Sequence, residues 1–174
     1  MNYKIIIFLL NYYLNFKEEI SFTIVTKNTD TWTGVGFSKD EKMSQTDAIL
    51  GWVDKTSGRA FLMDTWINGY NSPALDSSQD IYNFSGRIEN GETTLKFSRK
   101  RFTKDIRDLS FTDEQCLYLM FPVKGGTFNP VNKKIRKHEF VPIISAQKVC
   151  MKSCGFDGKF LIIFLVLKFK IEQI

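Results

Sequence analysis

The chain has 174 residues, a formal net charge of +5, 43% hydrophobic residues and 14% aromatic ones, sixteen of them Phe. That length suits one domain that closes its own core, since a chain of this size buries roughly 70% of its unfolded surface. The 24 Lys and Arg are scattered among 19 acids, which argues against nucleic-acid binding, and a single histidine leaves little material for a hydrolase triad.

Residues 1–16 read in two ways, as a secretory signal or as a first strand. Lys4 precedes a short apolar run, but no small-residue cleavage site follows. From residue 17 to 155 the chain reads as one domain. Ile20, Phe22 and Ile24 alternate with Ser21 and Thr23, which predicts a half-buried strand. Trp32-Thr-Gly-Val-Gly-Phe37 predicts a second strand, whose alternate glycines would let a ligand or another backbone approach closely. A charged loop over 38–46 follows, then buried strands over 48–53 and 59–67.

Residues 69–79 read as an exposed loop. Asn90-Gly91 then joins strands at 81–89 and 93–99, because both central residues of a type I′ turn need positive φ. The stretch 101–113 is polar, 116–121 is a buried strand, 125–130 is a mobile loop and 142–149 is a last strand. Many short strands, turn signals between them and no helical periodicity point to a sandwich or barrel, and an all-β antiparallel sandwich of immunoglobulin-like build is the fold expected. The apolar run 160–167 has eight residues, well below the roughly 18 that span a bilayer. For the tail 156–174 three readings stand: a truncated membrane segment, a tail strand or the product of an imperfect gene model.

Cys116, Cys150 and Cys154 have no second His or Cys nearby to complete a zinc site, so two of them are expected to pair, with Cys116 a partner for either of the others. No nucleophile elbow or phosphate-cradling glycine loop is present, and Gly34-Val-Gly36 lacks the third glycine of a dinucleotide site. Two residues stand out instead. Met43 sits in a loop of charged and polar residues, where a thioether gains nothing unless it covers an apolar surface. His138 follows a basic run beside Glu139. Each has an ordinary reading as a surface side chain. Together they would supply the sulfur and imidazole that hold six-coordinate haem iron for electron transfer.

Trp32-Thr-Gly-Val-Gly-Phe-Ser38, Lys42-Met43, Asp47-Ala-Ile-Leu-Gly-Trp52 and Ile135-Arg-Lys-His138-Glu, followed by a Pro-Ile-Ile-Ser strand, resemble in that order the DOMON domain over about residues 18–150. The resemblance implies a β-sandwich of extracellular, luminal or membrane-anchored proteins that binds haem or sugars. Its haem-binding branch takes a Met before the Asp-Ala-x-x-Gly-Trp strand and a late His as axial ligands, positions that Met43 and His138 occupy here. It further implies haem b as cofactor and an electron donor or acceptor as partner, such as a transmembrane b-type cytochrome.

Trp32, Phe37, Trp52, Met120 and Phe121 are candidates for the walls of such a pocket, and their ordinary reading is core. Lys42, Arg136 and Lys137 lie beside the two ligands, where propionates would sit. Asp47 has a separate reading, as a cap that accepts backbone hydrogen bonds. The rival expectations are a cofactor-free module that stacks a glycan or partner on Trp66 and Tyr70, and an accessory domain of a copper monooxygenase or ferric reductase, whose catalysis would lie outside this chain.

Overall fold

The structure is a computed structural model. It describes residues 4–15, 18–122, 124–129, 131–132, 134–151 and 163–171, the first and last of these by backbone alone. Two antiparallel sheets face each other. The first contains, in spatial order, β12 (Ile163–Ile171), β1 (Lys4–Asn15), β2 (Glu19–Thr26), β8 (Glu92–Lys100) and β7 (Ile81–Glu89). The second runs β10 (Ile143–Ile144), β9 (Cys116–Phe121), β3 (Thr33–Ser38), β4 (Thr46–Val53), β5 (Ala60–Ile67) and β6 (Ala74–Leu75), with β11 (Val149–Cys150) also paired to β9. The all-β sandwich expected from the strand pattern is the fold observed.

Period-two alternation fills the space between the sheets. Ile20, Phe22 and Ile24 of β2 and Leu95 and Phe97 of β8 meet Val35 and Phe37 of β3, Ile49 and Val53 of β4, and Leu117, Leu119 and Phe121 of β9. At the centre, the Phe22 ring lies 5.0 Å from Phe97, 5.5 Å from Phe37 and 5.7 Å from Phe111. Each fully buried ring contributes about 1.5–3 kcal/mol relative to exposure. Leu109 and Phe111 come from the stretch that reads as polar, yet both are buried here.

The second sheet is buried on its other face as well, which is why β3 and β4 show no exposed position. Trp32, Ala48, Leu50, Trp52, Met63 and Ile67 form a separate apolar cluster there, covered by Ile135 and Phe128 from the segment after β9. Trp52 lies stacked between Phe61 at 5.3 Å and Phe128 at 4.8 Å.

The Asn90-Gly91 hairpin forms as expected, with φ of 50° and 75°. The strand expected over 142–149 differs. It is two fragments: the Ser145 amide still donates to the Leu119 carbonyl at 2.8 Å, but the Leu119 amide is diverted to the Ser145 hydroxyl at 3.1 Å, which itself donates to the Gln147 carbonyl at 2.8 Å. Cys116 and Cys150, directly opposite each other in the β9–β11 pairing, form a disulfide. Cys154 lies outside the described residues.

Candidate functional site

The outer face of the second sheet carries a cleft of about 30 Å³, lined by Trp32, Gly36, Met43, Thr46, Ala48, Leu50, Ile67, Pro73, Met120, Pro122, His138 and Pro142. Its floor follows from strand alternation, since Gly36, Thr46, Ala48, Leu50, Ile67 and Met120 all project to the face away from the sandwich core. Gly36 matters here. A Cβ at that position would stand 2.9 Å from Thr46 Cγ2 and 3.3 Å from Met120 Cβ, closing the floor.

One wall is the 38–46 loop. Asp40 accepts from the Lys42 amide at 2.8 Å, while the hydroxyls of Ser38 and Thr46 donate to the Lys42 carbonyl at 3.3 and 3.2 Å. Gln45 takes a left-handed φ of 62° and donates to Asn68 at 2.7 Å. This folding lays the half-buried Met43 against the Trp32–Trp52 cluster. The thioether thus covers an apolar surface.

The opposite wall is the segment that carries His138. It forms a small hairpin with a Phe128–Ile135 bridge, and the Arg136 amide donates to the Thr127 carbonyl at 2.9 Å. Trp32 pins it to the sheet by donating from its indole nitrogen to the Arg136 carbonyl at 2.8 Å. Gly125, read as part of a mobile loop, packs so closely that an added Cβ would stand 2.6 Å from the Trp32 ring. The Lys124–Glu139 ion pair, at 2.7 Å, closes the base of the hairpin next to His138.

Four candidates therefore line one cleft: Met43, His138, Trp32 and Met120. Three others lie elsewhere. Phe37 and Phe121 point into the core between the sheets, because their strand positions have the opposite parity to Gly36 and Met120, and Trp52 is covered by Phe61 and Phe128. Lys42, Arg136 and Lys137 are exposed beside the cleft. Of the two aromatic residues named for glycan stacking, Trp66 is partly buried against the inter-sheet core, while Tyr70 is 79% exposed.

A second polar centre, unforeseen except for Asp47, lies between the sheets. Arg99 of β8, fully buried, pairs with Asp47 at 2.8 Å and with Asp108 at 3.5 Å, donates to the Leu109 carbonyl at 2.9 Å and lies over the Phe111 ring. Asp47 accepts from the Leu109 amide at 2.8 Å, so it does order a loop. Carboxylate oxygens of Asp47, Asp64 and Asp108 lie within 4.8 Å of one another. One oxygen each of Asp47 and Asp64 accepts no hydrogen bond among the described residues.

One guanidinium does not neutralise three carboxylates. Burial, and then the charge of Asp47, push Asp64 up to about 7; burial raises Asp47 to about 6 against the pull of Arg99. The folded chain therefore holds protons that the unfolded chain releases near pH 4, so the contribution of these two carboxyls to stability is full below that point and is lost as pH rises through about 6–7. The thermal midpoint is expected to rise as pH is lowered from about 8 to about 5.5, by roughly 2–4 °C per kcal/mol gained. A falling midpoint over that window would contradict this charge assignment.

The sequence model of the DOMON domain matches residues 8–124. The chain belongs to the DOMON domain family. It is 34% identical over 154 residues to MOXD1 homolog 2 of Drosophila melanogaster, covering 82% of this chain and 20% of that protein. MOXD1 homolog 1 of the same fly is 32% identical over 103 residues, 58% of this chain and 15% of the relative. DBH-like monooxygenase protein 1 of Mus musculus is 33% identical over 97 residues, 55% of this chain and 15% of the relative. This DOMON chain thus spans a fifth or less of the length of these relatives. Its disulfide fits an oxidising, extracytoplasmic compartment. No helix among the described residues is long and apolar enough to cross a membrane.

Proposed function

We propose that this chain is a non-catalytic DOMON module that holds a redox ligand in the cleft between the Met43 loop and the His138 hairpin, haem b foremost. The observation that carries the reading is the convergence of a thioether and an imidazole, 95 positions apart in sequence, on one apolar cleft. The donor set fits haem iron, since Met and His ligation favours single-electron exchange over oxygen chemistry. The apolar lining supports the reading, as do the exposed cations Lys42, Arg136 and Lys137 beside the cleft, where propionates would sit.

The cleft's width is the demand on this reading. Its roughly 30 Å³ is an order of magnitude below a typical ligand pocket of about 300–1,000 Å³, so loading requires the two walls to part. Bound haem would supply one-electron redox chemistry. The chain's own residues would hold it through Met43 and His138 and exclude water with Trp32 and Leu50, and the exchange would be with a donor or acceptor protein. In the intact protein the module would accompany an oxidoreductase in an extracellular or luminal compartment.

Hemin titration of the chain tests this. A low-spin spectrum with resolved α and β bands after dithionite is expected. Met43→Leu and His138→Ala are each expected to abolish it while changing unfolding free energy by less than about 1 kcal/mol, because both side chains are only half-buried. Mutant spectra identical to wild type would sink the ligand assignment.

The narrowness of the cleft also favours a second reading, in which the module carries no cofactor and serves as an accessory domain of a monooxygenase or as a binder of a glycan or partner. A titration indistinguishable from free hemin would transfer the case to it.

A further inference from the structure

β7 ends its sheet, so among the described residues one side of its backbone has no strand partner. An exposed edge of this kind is a template for pairing with another chain, and proteins blunt such edges with bulges, charges or a cover. Residues 82–85 form the bulge. Tyr82 pairs with Ser98 and Ser85 with Lys96, so that Asn83 and Phe84 together face the one residue between, Phe97. Asn83 takes a left-handed φ of 49°.

Three consecutive residues at the bulge, Asn83, Phe84 and Ser85, are exposed, and the Phe84 ring is left 48% accessible. They spell Asn-Phe-Ser, the only Asn-x-Ser/Thr triplet without proline in the sequence. That triplet is an acceptor for N-linked glycan in chains that pass through an oxidising lumen. The Cys116–Cys150 disulfide independently fits that route. No hydrogen bond ties up the Asn83 amide among the described residues, so a sugar attached there displaces nothing.

We propose that Asn83 carries an N-linked oligosaccharide that covers the open edge of the sandwich at the β7 bulge. The donor class is a lipid-pyrophosphate oligosaccharide. The side-chain amide nitrogen of Asn83 attacks the anomeric carbon of the first N-acetylglucosamine. The N–C bond forms as the C–O bond to pyrophosphate breaks, the amide gives up one proton, and the lipid pyrophosphate leaves with the electron pair. No oxidant is needed. The site lies on the first sheet, whereas the cleft lies on the outer face of the second, so the two do not compete.

The full chain, led into the secretory pathway of a eukaryotic cell, is the test. Peptide-N-glycosidase is expected to lower its mass in one discrete step and to convert residue 83 to Asp in the peptide map. Asn83→Gln and Ser85→Ala should each remove the step, while Ser85→Thr keeps it and so guards against a variant that fails to fold. Secreted chain with the Cys116–Cys150 bond formed but with unmodified Asn at 83 overturns the proposal, as does a step that survives Asn83→Gln. Enzymatic removal of the glycan from the folded chain should raise its oligomer fraction in light scattering. An unchanged distribution overturns the covering role.

Discussion

Arg99→Met is expected to lower the unfolding free energy by about 3–5 kcal/mol in urea denaturation, the usual result of removing one partner from a buried ion pair. The side chains of Arg99 and Asp47 are each 1% exposed, so water does not compensate for the lost guanidinium. Asp47, Asp64 and Asp108 would be left facing one another with no cation among them. A domain of this kind has only about 5–15 kcal/mol in total, so the variant would be near the edge of folding at neutral pH. Acid should rescue it, because protonating the stranded carboxyls removes their repulsion, and the gain between about pH 8 and 5.5 should exceed that of the wild type. Adding Asp47→Asn should restore part of the loss. A variant within about 1 kcal/mol of wild type, or one further destabilised by acid, would show that Arg99 does not organise this centre.

Replacing both Cys116 and Cys150 with Ser is expected to lower stability by about 4 kcal/mol, since the bond closes a loop across 34 positions and loop-closure entropy scales with the logarithm of that length. The local consequence is as informative. β10 and β11 have two residues each, and neither short pairing could hold the 143–151 segment against β9 without help. Hydrogen exchange should therefore show the Ser145 amide losing protection first, while the β2–β8 ladder keeps it. Thermal unfolding with and without reductant gives the same comparison in the unaltered chain. A loss under about 1 kcal/mol would mean that packing of Leu117 and Met151 alone holds this edge.

Strand parity carries a signal for part of the polar centre, although only Asp47 stands out in the sequence read residue by residue. In β8 the inward positions run Leu95, Phe97, Arg99, and in β4 they begin Asp47, Ile49. A charge on the apolar side of an alternating strand announces a buried partner, but period-two counting does not say which charge answers it, because the partners come from different sheets. Leu109 and Phe111 were hidden by their neighbours: in an irregular segment side chains have no fixed period, so two core residues among charges give no pattern.

By itself, the sequence determined the sandwich, its hairpins and the two unusual ligand-type residues, because alternation, the Asn-Gly turn and an out-of-place thioether are local signals that burial and backbone sterics enforce one strand at a time. Tertiary structure alone decided that Met43 and His138 line a common cleft, that Phe37 and Phe121 belong to the other face, and that Arg99 meets three carboxylates. Those outcomes depend on which strands become neighbours and on how the hairpin after β9 folds back over Trp32, and such long-range closures are set by the sum of packing over the whole chain.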